Sequence, residues 1–107
     1  MNPILQTKIE GQINNNKIMI YMKGTPNAPQ CGFSAATIQV FKSLGVPFET
    51  IDILQDPELR QGIKEFSNWP TIPQVYIGGE FIGGCDIVME MHNRGELAPI
   101  VQEVVNS

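Results

Sequence analysis

The sequence predicts one α/β domain: a mixed four-stranded sheet flanked by helices on both faces. Three observations carry this. The chain is 107 residues, a length typical of one domain. Helical and strand patterns alternate along it in the order α-β-α-β-α-β-β-α-α. Its most apolar run, Lys17-Ile18-Met19-Ile20-Tyr21-Met22-Lys23, has the character of a strand covered on both sides.

Each element has its own signal. Leu5, Ile9 and Ile13 recur every four residues, giving an amphipathic helix that Asn14-Asn15-Asn16 breaks. The run through Met22 follows as the first strand. Gly24-Thr25-Pro26-Asn27-Ala28-Pro29 reads as loop, with two prolines and a glycine in six residues. Thr37, Val40, Phe41 and Leu44 keep helical spacing until Gly45 and Pro47 stop it. Phe48 to Ile53 alternates like a half-buried strand. Asp56 before Pro57 is a cap followed by proline at the first helical position, and Leu59, Ile63 and Phe66 form that helix's buried stripe. Gln74–Ile77, Gly78-Gly79 and Glu80–Ile82 read as a two-residue hairpin. Asp86 is placed as the cap of a short helix carrying Ile87, Val88 and Met91, which Gly95 ends. Leu97, Ile100, Val101, Val104 and Val105 mark the last helix. The first two strands flank a helix and should run parallel by the right-handed crossover rule. The last two must be antiparallel, because only a tight turn joins them. With no internal repeat, linker or low-complexity segment, residues 1–107 read as a single domain.

Composition removes several classes of function. Apolar residues make up 42% and charged residues 17%, so the chain is neither disordered nor fibrous. No apolar run reaches the roughly 18 residues of a membrane-spanning helix, and the amino end lacks the basic-then-apolar pattern of a secretory leader. A net charge of −4 argues against nucleic acid or an anionic membrane as partner. Two cysteines are too few for a disulfide framework. The expectation is a small cytoplasmic protein in a reducing compartment, and a chain opening on Met1 favours a bacterial cytosol over a processed organellar form.

The distribution of charge narrows the search. No acidic residue falls between Glu10 and Glu49, while Lys17, Lys23 and Lys42 do. The same stretch contains Cys31, where the proline-rich loop becomes a helix. The unpaired N–H groups and dipole of a helix start favour negative charge. A thiol there loses its proton more easily and becomes a nucleophile or metal ligand. Lys23, closing the preceding strand, would point its ammonium toward the same end of the sheet. The competing reading, an inert buried cysteine, fits poorly with Gly32 beside it and the polar loop before it.

Cys31-Gly32-Phe33-Ser34 resembles the active-site motif of the monothiol glutaredoxins, within the thioredoxin-like fold. Lys23-Gly24-Thr25-Pro26, Trp69-Pro70-Thr71-Ile72-Pro73 and Gly83-Gly84-Cys85-Asp86 match the same family in order, so the resemblance spans about the whole domain. The chemistry of the motif can be worked out independently. A dithiol oxidoreductase needs a second cysteine three residues on, and that position is Ser34. Internal dithiol cycling within the motif is excluded; Cys31 could attack a mixed disulfide but would need glutathione or a distant thiol to finish. Cys85 is the one other thiol, and both a Cys31–Cys85 bond under oxidation and a mere packing role for Cys85 stay open.

The resemblance implies a ligand set. A 2Fe–2S cluster takes four thiolates; Cys31 from each of two chains supplies two, and the family supplies the others from two glutathione molecules. This implies a homodimer bridged by cluster and glutathione, labile enough to suit a carrier. For glutathione, the family reading pairs Lys23 and Arg60 with the glycine carboxylate. It makes Pro73 cis, so that Ile72 offers its backbone N–H and C=O to the cysteinyl unit like an added strand. It places the Cys85 N–H and Asp86 at a helix start for the γ-glutamyl carboxylate, with Gly83 and Gly84 allowing close approach. His92, Met89 and Met91 are read as surface or packing residues. Trp69 is read as shaping the turn near the groove, and Phe33 as bordering the cluster or packing at the helix start.

Three functions follow from the likeness. The first is an iron–sulfur carrier that receives a 2Fe–2S cluster from an assembly scaffold and passes it to apo-proteins. The second is a glutathione-dependent thiol–disulfide oxidoreductase, at most a weak enzyme here because the longer loop before Cys31 misplaces the thiolate. The third is a regulatory module pairing with a BolA-like protein.

Overall fold

Ile18–Met22 form β1, and all five side chains are buried. A computed structural model describing residues 1–107 shows why. The sheet order is β4-β1-β5-β6, in which β4 is Glu49–Asp52, β5 is Gln74–Ile77 and β6 is Glu80–Gly83. β1 runs parallel to β4 and antiparallel to β5, and β5 is antiparallel to β6. The predicted mixed four-stranded sheet is therefore present with the expected strand directions.

Alternation along β1 divides the core in two. Ile18, Ile20 and Met22 face one way, against Ile38, Val40 and Phe41 of α2 (Gly32–Leu44), Val88 of α4 (Cys85–Asn93), and Leu97 and Val101 of α5 (Leu97–Val105). Met19 and Tyr21 face the other way, against Leu5, Ile9 and Ile13 of α1 (Pro3–Asn14) and Leu59 and Ile63 of α3 (Pro57–Ser67). Asn2 caps α1, Asp56 caps α3 through the Leu59 N–H, and Gly45 ends α2 in the left-handed region.

Three local readings change. The loop from Gly24 contains a small antiparallel ladder, β2 (Gly24–Thr25) against β3 (Ala28–Pro29). Gly24 has φ +90, and a Cβ there would lie 2.5 Å from the Ala28 carbonyl oxygen, so only glycine fits the turn. The strand expected to run through Ile53 stops at Asp52, whose carboxylate accepts from the Leu54 N–H and starts a short 3-10 turn, Ile53–Gln55. Asp86 does not cap its helix. The N-cap is Gly84, and Asp86 lies inside the first turn, because the extended Gly84 backbone brings the chain into helix two residues sooner.

Candidate functional site

The carboxyl end of β1, the start of α2, the turn between α3 and β5 and the start of α4 converge on a cleft of about 450 Å³. Cys31, Lys23, Ile72, Pro73, Cys85 and Asp86 all line it, so six of the seven residues singled out in the sequence share one cavity. Arg60 is not among the lining residues. Lys64, one helical turn further along α3, is.

Cys31 is the N-cap of α2, in extended conformation, and its side chain closes no cap hydrogen bond. The first N–H groups of the helix stay available to the sulfur. The thiol's pKa is lowered from its ordinary value. The Ser34 N–H is the largest cause, opposed next by burial and helped by the Phe33 N–H, the Lys23 ammonium and the Ser34 hydroxyl. A thiolate is thus favoured at a half-buried position on the cleft. Phe33 beside it is 63% exposed.

The loop before Cys31 is pinned at both backbone groups that leave β1. The Lys23 N–H donates to the Ser34 Oγ at 3.1 Å, and the Gly24 N–H donates to the Asp52 Oδ1 at 2.9 Å. Ser34 is fully buried, so the residue standing where a second thiol would be serves as an anchor for Lys23. Neither Lys23 nor Lys64 is ion-paired; the two salt bridges of the chain are Lys8–Asp56 and Arg94–Glu90. Two free ammonium groups therefore flank the cleft, which suits an anionic ligand.

The opposite wall is the turn Trp69–Pro73, with a cis bond between Ile72 and Pro73. The Ile72 side chain is buried, yet no hydrogen bond within the chain engages its backbone N–H or C=O. Such a residue can pair with an extended peptide. Behind it, α4 opens with free N–H groups at Cys85, Asp86 and Ile87, since its first helical bond is from the Val88 N–H to the Gly84 carbonyl. A Cβ on Gly84 would lie 3.2 Å from the Pro73 carbonyl oxygen and 3.3 Å from the Trp69 Nε1; the glycine lets the helix start close against the turn. The Trp69 Nε1 is buried with no hydrogen-bond partner, and its ring packs on Phe81 at 5.6 Å.

Cys31 and Cys85 are both free thiols on this cleft. His92 is half-buried on α4, and nowhere do three His, Cys, Asp or Glu side chains gather as a metal site within the chain. Sequence reasoning missed Lys64 and Gln74. Lys64 lies one turn beyond Arg60 on the same helix, and the position of the following turn is what brings it to the cleft. Gln74 had a signal in its polar side chain at the head of an apolar strand.

A glutaredoxin family model matches residues 18–82. The chain is 52% identical over 107 residues to an uncharacterized monothiol glutaredoxin of Synechocystis sp., covering 100% of both. It is 50% identical over 107 residues to a chloroplastic monothiol glutaredoxin of Arabidopsis thaliana, spanning 62% of that longer protein. With Glutaredoxin 4 of Escherichia coli it shares 49% over 96 residues, 90% of this chain and 84% of the other. The solution structure of a reduced apo glutaredoxin from poplar superposes with TM-score 0.83 at 48% identity, covering 96% and 94% of the two chains. A crystal structure of a buckwheat glutaredoxin–glutathione complex gives 0.84 at 30% identity, covering 94% and 90%.

Proposed function

The chain belongs to the glutaredoxin family, with monothiol glutaredoxins among its relatives, and from that premise we propose that it binds glutathione and carries a 2Fe–2S cluster as cargo between two copies of itself. The observation that carries this reading is the single acidified Cys31 thiol on the cleft, with Ser34 where a resolving thiol would stand. One thiolate cannot complete a centre that needs four. A second Cys31 and two glutathione thiolates make up the set, and half-exchangeable ligands allow the cluster to be handed from an assembly scaffold to apo-proteins.

The cleft fits the tripeptide part by part. Lys23 with Lys64, and Arg60 one turn away on α3, suit its glycine carboxylate, and the unpaired Ile72 backbone suits the cysteinyl peptide. The free N–H groups of α4 suit the γ-glutamyl carboxylate, while the Asp86 side chain, itself an anion, suits the neighbouring ammonium. A buckwheat relative is described in complex with glutathione. The lowered Cys31 pKa also favours a second reading, thiol–disulfide exchange, in which the Cys31 thiolate attacks a glutathionylated protein disulfide, takes up glutathione and releases the protein thiolate. A second glutathione then frees Cys31 as glutathione disulfide. A BolA-like protein replacing one copy remains part of the proposal as an alternative partner.

Anaerobic reconstitution with iron, sulfide and glutathione tests it. The expected result is visible absorption of a 2Fe–2S cluster with a monomer-to-dimer shift, both abolished in Cys31→Ser. Arg60→Glu and Lys64→Glu should each weaken cluster retention without unfolding the domain. A colourless protein with rapid glutathione-dependent disulfide reduction would select the second reading.

A further inference from the structure

The Trp69–Pro73 turn has no regular secondary structure, yet it forms one wall of the cleft. Gln74, the first residue of β5, is fully buried behind it. Its Nε2 donates to the Trp69 carbonyl at 3.1 Å and to the Thr71 carbonyl at 3.3 Å. Its Oε1 accepts from the Tyr76 hydroxyl at 3.3 Å. Two carbonyls can only accept, so the amide nitrogen must face them and its oxygen must face the phenol. The side chain has one orientation, and every polar atom in it is used.

Peptide geometry carries the consequence outward. The Thr71 C=O and the Ile72 N–H belong to one planar peptide unit, and only the next bond, Ile72–Pro73, is cis. In a trans unit the C=O and N–H point in opposite directions. Drawing the Thr71 carbonyl inward onto Gln74 therefore turns the Ile72 N–H away from the interior, and nothing within the chain engages it there. We propose that Gln74 is the positioning residue for peptide recognition in this cleft, fixing the Thr71–Ile72 peptide so that the Ile72 N–H is presented to the ligand. Tyr76 completes the arrangement by holding the amide from behind.

The proposal rests on the reading that the cleft takes glutathione, and S-methylglutathione, which can neither form a disulfide nor ligate a cluster, is the probe that separates the two. Backbone amide signals are followed by NMR during titration of the wild type, Gln74→Met and Tyr76→Phe. In the wild type, the Ile72 amide moves downfield together with those of Cys85 and Asp86. In Gln74→Met, affinity falls about tenfold, the scale of one lost hydrogen bond. The α4 amides there still respond near saturation while Ile72 does not. A general loosening of the fold would instead weaken all of them alike. Tyr76→Phe produces a smaller loss of the same pattern and decides the matter where Gln74→Met does not fold. An unchanged Ile72 response and affinity in the folded variant overturns the assignment. A wild type that does not bind S-methylglutathione overturns the glutathione reading itself.

Discussion

Replacing Lys23 with glutamine separates the causes of Cys31 acidity. The Ser34 N–H acts first and the Phe33 N–H next among the groups that lower the thiol's pKa, with the Lys23 ammonium behind them. Cys31 and Lys23 are both partly exposed, so their attraction is screened by water and should amount to about 0.2–1 kcal/mol. The midpoint should therefore rise, at about 1.36 kcal/mol per tenfold change in proton affinity. Well below that midpoint, the thiolate population should fall about 1.4- to 5-fold. The assay is the rate of Cys31 alkylation by iodoacetamide against pH in the wild type and in Lys23→Gln, with Cys85→Ala in both backgrounds. In roughly 1 M salt the two profiles should approach each other, because a Debye length of about 3 Å screens the lysine but not the adjoining N–H groups. A tenfold or larger loss in Lys23→Gln would make the lysine the main cause and refute the helix-start account.

The remaining predictions concern the frame around that thiol. Since the folded Cys31 pKa is lowered, its stabilising contribution is fully present above the unfolded value of about 8.5 and fades as pH falls through the folded value; relative to Cys31→Ser, the wild type should gain stability as pH rises through that window, measured by urea unfolding. Gly24→Ala places a Cβ 2.5 Å from the Ala28 oxygen and 2.6 Å from the Gln30 nitrogen at φ +90. Backbone strain alone should cost about 1–2 kcal/mol, lowering the melting temperature by about 4–8 °C per kcal/mol; an unchanged melting temperature would refute the tight turn. Asp52→Ala strands the Gly24 and Leu54 N–H groups, which the carboxylate holds at 2.9 and 3.0 Å. Denaturant titration should show a loss of about 2–3 kcal/mol, most of it recovered in Asp52→Asn, which keeps an acceptor oxygen.

Much of this architecture could be read before any coordinates, and the reasons are specific. β1 announced itself because five apolar residues in sequence have no exposed side, and the structure covers both. The β5–β6 hairpin was marked by Gly78-Gly79, whose φ values of 60 and 82 few other residues adopt. Cys31 stood at a helix start because the prolines before it and the periodic residues after it bracket the boundary. The β2–β3 ladder escaped because two-residue strands have no periodicity to read. Arg60 and Lys64 lie one turn apart on α3, so the periodicity that marked the helix did not point to Lys64, which lines the cleft. Asp86 looked like a cap since aspartate usually serves there, but the backbone of Gly84 had already entered the role. Gln74 was legible only as an anomaly, a polar side chain among residues that are all buried.

β1 is a party wall. Its odd and even residues belong to different rooms of the molecule, so neither half can melt while the other stands. Damage behind α1 or α3 should be felt at the thiol end of α2 with no relay of contacts, because both halves lean on the same five residues. Unfolding should be a single cooperative event, and the amides along that ribbon should be the last to exchange with solvent.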